Sequence, residues 1–437
     1  MEWYQAGGLL IGSIVFLMAL GFPVAFAFML TNILGVFVFS AGWPVMIQIV
    51  ADSTNLITKF TLIPIPMFIL MGALFFYTGL AVRVFDALDK LLGRIPGRLC
   101  FLTVIGGSMF STLTGSSMAN TAMLGSLLVP EMQRRGYSNR MSMGPILGTG
   151  GLAMIIPPSN LAVLLASVAI VDVGALLAAG LIPGFVLAGL YALMIYMQIL
   201  VKPDSAPAYD IPRTSARDKL IAVVVNILPM SLVVFMVVGF IILGITTPSE
   251  AACFGVLGVL ILATAFRCLT WNAIGTSLMN TIRTAGMVFF ILMNSTVFSQ
   301  LLAMSGASSG MLNWATGFDV PPLVILGIMF GVLIVLGMFM DPVSMILITV
   351  PIFFPLAQAL GFDLIWFGII VLMSLEMSQT TPPFGLLLYI MLGMVRNTSL
   401  GEVALAAAPF LVCDLVLVIM LVVFPTMALY LPSLMFG

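Results

Sequence analysis

The sequence predicts an all-α polytopic membrane protein built from two inverted repeats, each with five membrane spans and one re-entrant hairpin. Three observations lead to this fold class. The 437 residues are 62% hydrophobic and 7% charged, whereas soluble domains carry about 25% charged residues. Prolines and glycines recur in register between the two halves of the chain. When the spans are threaded in order, nearly all lysines and arginines fall on one side of the membrane.

The composition also excludes several kinds of chemistry. The chain contains no histidine, which removes histidine metal ligands, catalytic bases and proton relays. Its formal net charge of −1 gives no argument for binding nucleic acid. The four cysteines are scattered among apolar residues, so we expect buried free thiols rather than a disulfide framework.

The internal repeat is the most specific of the three signals. Pro157-Pro158 and Pro382-Pro383 are 225 residues apart. Phe-Ile-Leu-Met at 68–71 recurs at 290–293, close to the same register. Paired, proline-interrupted hydrophobic segments of this kind indicate a transporter binding site. The pairs that share the 225-residue offset also include Pro130 and Pro355, Gln133 and Gln358, Gly136 and Gly361, and Pro23 and Pro248.

Apolar stretches of membrane length give five spans in each half. Their order is the same in both halves, which is what an internal duplication requires. The first half has spans near 5–20, 22–41, 60–82, 138–170 and 175–201, and the second near 219–243, 249–267, 284–305, 364–395 and 402–434.

Two further apolar stretches, 99–134 and 321–358, are too long for one ordinary span and carry a polar break. The first break is Thr114-Gly115-Ser116-Ser117, and the second is Met340-Asp341-Pro342. Limbs of about 15 residues would give about 22 Å of helix, short of a hydrocarbon core of about 30 Å. A hairpin that turns at mid-depth fits this length.

The distribution of positive charge supports the hairpin interpretation. If both hairpins return to their own side, 14 of the 15 basic residues share one face, and Lys59 lies on the other. The positive-inside rule makes that face cytoplasmic. Five crossings per repeat then invert the second copy and place both termini, and Asp319, on the external side. The 14 residues are Arg83, Lys90, Arg94, Arg98, Arg134, Arg135, Arg140, Lys202, Arg213, Arg217, Lys219, Arg267, Arg283 and Arg396.

Segments outside the spans define a linker and interfacial arms. The polar, proline-containing stretch 203–218 separates the two halves. Short amphipathic stretches at 43–58, 83–98 and 270–283 are typical of helices that lie in the membrane interface. Such arms cover the flank of the protein or brace a moving part.

The first hairpin break is rich in hydroxyl and amide oxygens, which suit a hard cation. Irregular backbone at membrane depth is tolerated where it lines a cavity or binds something. Simple N-capping by Ser116 or Ser117 is the alternative. The oxygen-bearing side chains there are Thr112, Thr114, Ser116, Ser117 and Asn120.

The second hairpin break contains Asp341, and an ionisable group at that depth is a functional hypothesis by default. N-capping ahead of Pro342 is the alternative, and the two roles are compatible. Ser344 could share a ligand with Asp341. Glu376 and Asp414 are further near-membrane acids, for which a cation site, a proton site and an interface ion pair remain open.

The Pro-Pro steps should divide spans 138–170 and 364–395 into half-helices, because proline removes a donor and clashes with the preceding turn. Half-helix N-termini expose N–H groups that suit an anion. A purely structural kink is the alternative. The polar residues around the two breaks include Thr149, Ser159, Asn160, Ser378, Gln379, Thr380 and Thr381.

At these residues the whole chain resembles the large membrane subunit of the tripartite ATP-independent periplasmic (TRAP) transporters. The resemblance implies sodium-driven secondary import of an organic acid, such as a carboxylate or sulfonate, across the bacterial inner membrane. It also implies two or more sodium ions, a small four-helix membrane subunit and a periplasmic substrate-binding protein. The motifs that carry it are Gly115-Ser116-Ser117-Met118-Ala119-Asn120, Ile156-Pro157-Pro158-Ser159, Gly337-Met338-Phe339-Met340-Asp341 and Thr381-Pro382-Pro383-Phe384-Gly385.

The resemblance further implies an elevator mechanism and a division of the chain. Residues 1–98 and 219–319 would form the scaffold, 99–202 and 320–437 the transport domain, and 203–218 the linker. The implied sodium ligands are Gly115, Ser116, Ser117, Asn120, Ile156, Pro157, Met340, Asp341, Ser344, Thr380 and Thr381. The implied substrate-binding residues are Ser117, Asn120, Ser159, Asn160, Thr381 and Pro383.

Three other classes compete with this interpretation. A stand-alone sodium/anion symporter of the same architecture would need no binding protein. An intramembrane aspartyl protease could use Asp341 and Asp414, but neither lies in a Gly-X-Gly-Asp motif. A passive channel conflicts with hairpin tips that meet near the midplane.

Overall fold

The architecture is helical throughout the described residues. A computed structural model describes residues 1–40, 43–93, 95–208, 215–317, 320–395 and 398–436. Arg94, Arg213, Asp319, Arg396 and Gly437, which the sequence analysis assigns to membrane sides, lie outside this part of the chain.

In the described residues, the first half of the chain forms ten α-helices. Two short 3₁₀ turns, at Phe60–Leu62 and Leu152–Met154, interrupt the order. The helices are α1 Trp3–Ala19, α2 Val24–Phe39, α3 Trp43–Ile57, α4 Pro64–Tyr77, α5 Leu80–Leu91, α6 Arg98–Thr114, α7 Ser117–Arg134, α8 Asn139–Gly151, α9 Asn160–Ala169 and α10 Val173–Val201.

The second half repeats much of this order. A π-helical turn at Val223–Ile227 joins its first two helices without a break. The helices are α11 Ala216–Ala222, α12 Leu228–Ile242, α13 Pro248–Ala265, α14 Trp271–Met304, α15 Ala307–Thr316, α16 Pro322–Phe339, α17 Pro342–Ala359, α18 Leu364–Thr380, α19 Leu386–Met394, α20 Leu400–Val423 and α21 Thr426–Phe436. In the described residues, eight helical segments are long and apolar enough to cross a membrane.

Both predicted hairpins form as pairs of packed helices. Only Gly115 and Ser116 separate α6 from α7, and only Met340 and Asp341 separate α16 from α17. The limbs have 17 or 18 residues, so the prediction of about 15 is wrong. Because each break takes up just two residues, a limb reaches about 26 Å, close to the core thickness of about 30 Å. Limb length alone therefore does not argue for re-entry, which stays a prediction.

Both Pro-Pro segments divide their spans into half-helices, as the sequence predicts. The first separates α8 from α9, and the second separates α18 from α19. Each contains a cis peptide bond, Pro157-Pro158 in one and Pro382-Pro383 in the other.

The hairpins and broken helices pack together in a reciprocal pattern. Both limbs of the first hairpin contact α8, and the limb α16 contacts α18. The second limb of each hairpin packs on a broken helix from the other half of the chain: α7 packs on α19, and α17 packs on α9. Each hairpin therefore touches broken helices from both halves of the chain.

The amphipathic arms differ from one another in their environment. In α5, the apolar residues Val84, Phe85 and Leu88 are buried against the protein. The predicted arm at 270–283 is not a separate element, because α14 runs unbroken to Met304 over 34 residues. No proline occurs within α14 to interrupt the helix.

The apolar stripe at the start of α14 also faces outward. Trp271 is 88% exposed and Ile282 is 65% exposed, while Ala273, Ser277 and Thr281 are buried on the opposite side. The expectation that this stripe covers the flank of the chain is therefore wrong for α14.

The predicted last span, 402–434, is two helices rather than one. The segment α20 ends at Val423 and α21 begins at Thr426. Pro425 lies between them and has no N–H to continue the helical ladder.

In the linker, Ser205 and Ala206 accept backbone hydrogen bonds from Ser138 and Gly97.

Candidate functional site

The tip of the first hairpin lies against the start of α9. Gly115 adopts a left-handed conformation with φ of 56°, which favours glycine. A Cβ placed on Gly115 would lie 3.1 Å from both the Asn160 Nδ2 and the Pro158 carbonyl oxygen. The tip therefore needs glycine for its turn and for its close approach to the first Pro-Pro break.

The two serines at this tip have different roles. Ser116 is the N-cap of α7, because its Oγ accepts a hydrogen bond from the Ala119 N–H at 3.4 Å. Ser117 is buried, and its Oγ has no hydrogen-bond partner. Capping therefore explains Ser116 and leaves Ser117 without a structural role.

The hydrogen bonds that the Asn120 Nδ2 donates fix the orientation of its side-chain amide. Its Nδ2 lies 2.7 Å from the Ser111 Oγ and 3.2 Å from the Thr149 carbonyl oxygen. Asn120 is fully buried, and its Oδ1 has no partner. The interaction with Thr149 joins the first hairpin to the end of α8.

Five buried side-chain oxygens without a hydrogen-bond partner gather around this tip and the adjacent break. Buried polar atoms in native proteins nearly always have a partner. Contacts link the set: Asn120 reaches Thr149, Gly115 abuts Asn160, and a Cβ on Gly150 would lie 2.0 Å from the Thr121 Oγ1. Neutral hydroxyl and amide oxygens of this kind suit a hard cation. The five atoms are Ser117 Oγ, Asn120 Oδ1, Thr121 Oγ1, Thr149 Oγ1 and Asn160 Oδ1.

The other residues predicted at the first break have their side chains engaged. The Ser159 Oγ donates to the Met154 carbonyl oxygen at 2.7 Å and accepts from the Ala162 N–H at 3.2 Å. The side chain of Ile156 is buried against Gly184 of α10. Ile156 and Pro157 have no side-chain oxygen, so any ligand role they have must come from backbone carbonyls.

At the second tip, Asp341 is the N-cap of α17. Its Oδ2 accepts a hydrogen bond from the Ser344 N–H at 3.1 Å, and its Oδ1 accepts one from the Ser344 Oγ. Met340 precedes it in extended conformation. The carboxylate is half-buried, whereas Ser344 is fully buried. Capping is thus observed, and lone pairs on both carboxylate oxygens remain for a cation.

The second break lies beside this tip, as predicted. A Cβ on Gly337 would lie 2.2 Å from the Ser378 Oγ, and the rings of Phe339 and Phe384 are 5.2 Å apart. Among the described residues, however, no hydrogen bond joins Asp341 to the threonines of the break. The Thr380 and Thr381 hydroxyls both donate to the Met377 carbonyl oxygen, at 3.2 and 2.6 Å.

Pro383 is exposed, and its carbonyl oxygen accepts a hydrogen bond from the Tyr389 hydroxyl at 3.2 Å. Asn160 and Thr381 are half-buried. Of the predicted substrate-binding residues, these two therefore combine a polar side chain with partial access.

Glu376 and Asp414 do not lie at either tip. They meet at Tyr191 of α10, whose hydroxyl lies 3.0 Å from the Glu376 Oε1 and 2.5 Å from the Asp414 Oδ1. Neither Tyr191 nor Thr121 was predicted from the sequence. The spacing could have indicated Tyr191, because it precedes Asp414 by 223 residues, close to the 225-residue offset of the repeat.

The fold and the site together define a class of protein: a polytopic helical membrane transporter with paired hairpins facing broken helices. The crystal structure of the Alcanivorax borkumensis YdaH transporter has a similar fold, with a TM-score of 0.65 at 13% identity, covering 87% of this chain and 88% of that one. Residues 11–427 match the family model of the tripartite ATP-independent periplasmic transporter, DctM component, and the chain belongs to that family.

Relatives in this family carry different substrates in their names. The C4-dicarboxylate TRAP transporter large permease protein of Pseudomonas aeruginosa is 33% identical over 86% of both chains. The sialic acid permease of Vibrio cholerae is 29% identical over 87% of this chain and 88% of its own. The ectoine permease of Halomonas elongata is 27% identical over 98% and 99%. The chain is a transporter permease rather than an enzyme, which removes the protease alternative.

Proposed function

We propose that this chain is the membrane permease of a sodium-coupled importer of a small organic acid. Membership of the DctM family supports secondary transport of organic acids. The named substrates of its relatives, a C4-dicarboxylate and sialic acid among them, support a carboxylate-bearing substrate. Sodium is the co-transported ion, and no organic cofactor is required.

The observation that carries sodium coupling is the set of five partnerless buried oxygens at the first hairpin tip. A buried hydroxyl or amide oxygen without a partner costs about 1–3 kcal/mol. The five atoms therefore offer oxygen ligands to a cation at this tip, and binding it would offset that cost. All are uncharged, and such oxygens can replace the hydration shell of a hard monovalent ion without a large charge penalty.

A second sodium site is proposed at the other tip. The carboxylate of Asp341 would supply negative charge, and the Ser344 hydroxyl holds its orientation. The Thr380 and Thr381 hydroxyls donate to the Met377 carbonyl oxygen, and these bonds do not use their oxygen lone pairs. Movement of the second break toward Asp341 would bring these oxygens to the same ion.

The organic acid would bind between the two tips. No lysine or arginine among the described residues belongs to the tips or breaks. The carboxylate would therefore be held by N–H groups at the starts of α9 and α19, where helix dipoles favour an anion. Asn160 and Thr381 are the side chains placed to orient it, and bound sodium would add positive charge.

An elevator mechanism with inverted repeats is the proposed means of transport. The reciprocal packing of α7 on α19 and of α17 on α9 joins the hairpins and broken helices of both halves into one body. Helix α4 packs on α13 and α14, and α14 packs on α2, so these four helices would form the scaffold. The exposed apolar stripe of α14 offers this scaffold a surface for the small four-helix subunit.

Transport by purified components tests the proposal. Proteoliposomes containing the permease with its small subunit are given a binding protein loaded with an organic acid, with and without an inward sodium gradient. We expect uptake only when all three proteins and the gradient are present. Sodium-coupled uptake by the permease alone would instead establish the stand-alone symporter, and uptake unaffected by sodium would contradict the proposal.

A further inference from the structure

The Tyr191 hydroxyl joins two carboxyl groups in the interior of the protein. Tyr191 of α10 is fully buried, Glu376 of α18 is 1% exposed and Asp414 of α20 is 2% exposed. The cluster connects three helices, and its three residues belong to neither the proposed sodium sites nor the proposed substrate site. Burying two carboxylates side by side without compensation is costly, because like charges repel strongly in a medium of low dielectric constant.

Counting hydrogens shows that the cluster needs an additional proton. Two oxygen–oxygen contacts of hydrogen-bonding length meet at the Tyr191 hydroxyl, at 3.0 Å to Glu376 and 2.5 Å to Asp414. Each contact requires one hydrogen, but a phenol hydroxyl supplies a single one. The second hydrogen must come from one of the carboxyl groups, which is then protonated.

The two distances indicate which carboxyl group holds the proton. Hydroxyl–carboxylate hydrogen bonds are short, about 2.5–2.7 Å, whereas those between neutral groups are longer. The 2.5 Å contact therefore fits the Tyr191 hydroxyl donating to an ionised Asp414. The 3.0 Å contact fits a protonated Glu376 whose Oε1 donates to the Tyr191 hydroxyl.

Among the described residues, no lysine or arginine side chain forms an ion pair with the cluster and so replaces this proton. The Cys413 thiol is the nearest other titratable group on α20, and it points to the Leu190 carbonyl oxygen at 3.7 Å. The remaining groups on the packed helices lie at helix ends or on the exterior. They are Arg98 and Cys100 of α6, Arg140 of α8, Asp172, Tyr196 and Lys202 of α10, Asp341 of α17, Asp363 of α18, Tyr389 of α19, Glu402 of α20 and Tyr430 of α21.

Little space surrounds the Glu376 carboxyl group, whose Oε2 has no hydrogen-bond partner. A Cβ on Gly151 would lie 2.3 Å from the Glu376 Oε1, so glycine makes room for the carboxyl group and little else. The ring of Phe410 packs against Tyr191 at 5.4 Å. Thr380, a proposed sodium ligand on the same helix, directs its hydroxyl to Met377 instead of to this cluster.

We propose that Tyr191, Glu376 and Asp414 form a proton-binding site, in which Glu376 holds the proton and Asp414 is ionised. The site ties α10, α18 and α20 together through one shared hydrogen-bond chain. Since α18 ends at the second break and Gly180 of α10 touches the backbone of the first break, proton occupancy would influence both breaks. The proton would thus be a ligand of the permease besides sodium and the organic acid.

Infrared spectroscopy of the purified permease tests this site without any transport measurement. The wild-type protein should show the carbonyl band of a protonated carboxyl group, shifted in D₂O. Glu376→Gln should lose this band, and the exposed Glu402→Gln on α20 should keep it. A band that survives in Glu376→Gln, or is absent from the wild type, would overturn the assignment.

Two further measurements keep the test decisive if Glu376→Gln folds poorly. Tyr191→Phe removes the acceptor of the Glu376 proton, so the band should remain but move to higher frequency. In the wild type, the band should persist during a titration with sodium at constant pH. Its loss on adding sodium would show that a metal cation occupies the site and would contradict the proposal. Because no substrate is needed, these results are independent of whether uptake is sodium-coupled.

Discussion

The Gln379 side-chain amide donates to the Met154 sulfur across 3.7 Å, and the two residues are 225 positions apart in the chain. They occupy equivalent places beside the two Pro-Pro breaks, since the same offset separates Pro157 from Pro382. The segments that lead into the two breaks are therefore in direct contact. The Gln379 Oε1 has no partner, so only the Nε2 atom of the side-chain amide is hydrogen-bonded.

Removing the Ser117 hydroxyl should weaken sodium binding without destabilising the fold. Its Oγ makes no hydrogen bond, so Ser117→Ala leaves no group newly unpaired. We expect the half-saturating sodium concentration for uptake to rise about fivefold, which corresponds to about 1 kcal/mol. The melting temperature should stay level or rise. Ser126→Ala on the same helix, where the hydroxyl donates to Met123, is the control and should leave the sodium dependence unchanged.

Neutralising Asp341 should have a larger effect on the sodium dependence. Asp341→Asn keeps an oxygen that can cap α17 but removes the negative charge from the proposed second site. The half-saturating sodium concentration should rise about 10- to 100-fold, as expected for loss of about 1.5–3 kcal/mol. Thr381→Ala should act in the same direction more weakly. An active Asp341→Asn protein with unchanged sodium dependence would remove Asp341 from the ion site.

The close approach of α10 to the first break should make Gly180 intolerant of a side chain. A Cβ there would lie 2.3 Å from the Ile155 carbonyl oxygen, a backbone atom that cannot rotate away. Gly180→Ala should destabilise the protein by about 1–3 kcal/mol, seen as a lower melting temperature in detergent. Gly189→Ala lies on the same helix with no atom within 4 Å, so it should be neutral or slightly stabilising. Equal effects of the two variants would contradict the packing.

A cross-link between α14 and α17 should stop transport if the hairpins move against the scaffold. The Ser295 Oγ donates to the Leu347 carbonyl oxygen at 2.9 Å, so these positions are adjacent. In a background without native cysteines, Ser295→Cys with Leu347→Cys should lose uptake on treatment with a short thiol cross-linker and regain it after the link is cleaved. Ser295→Cys alone should be insensitive. Full activity of the cross-linked protein would rule out this relative movement.

Accessibility of two lysines should report the orientation in the membrane. Lys202, at the end of α10, is proposed to be cytoplasmic, and Lys59, before α4, periplasmic. In the same cysteine-free background, an impermeant thiol reagent added outside intact cells should label Lys59→Cys and leave Lys202→Cys unmodified until the membrane is opened. The reverse pattern would invert the topology.

The sequence predicted features that depend on local backbone chemistry. Gly115 and Asp341-Pro342 mark the two hairpin turns, because glycine favours a left-handed turn and an aspartate before a proline favours the start of a helix. The Pro-Pro steps located both helix breaks for the same reason. These features position the candidate cation site, and predicting them requires no knowledge of the contacts between helices.

Features that depend on contacts between distant residues were not predictable in the same way. Thr121 and Thr149 belong to the partnerless oxygen set because nothing packs a donor against them, and sequence does not reveal such an absence. The tyrosine between Glu376 and Asp414 comes from a different helix of the other half. The continuity of α14 was missed because its first turns have the amphipathic pattern of an interfacial helix, although they lack a helix-breaking proline.

The length of α14 has a consequence for the surrounding lipid. Its 34 residues make a rigid rod of about 51 Å, against a hydrocarbon thickness of about 30 Å. Even at a steep tilt of about 40°, the rod spans about 39 Å along the membrane normal. Its ends must therefore reach into the headgroup layers, and a thinner bilayer must tilt the whole helix rather than bend it. Trp271 at the N-terminal end is exposed, so its fluorescence should report that tilt, and lipid thickness can set the resting angle of this helix.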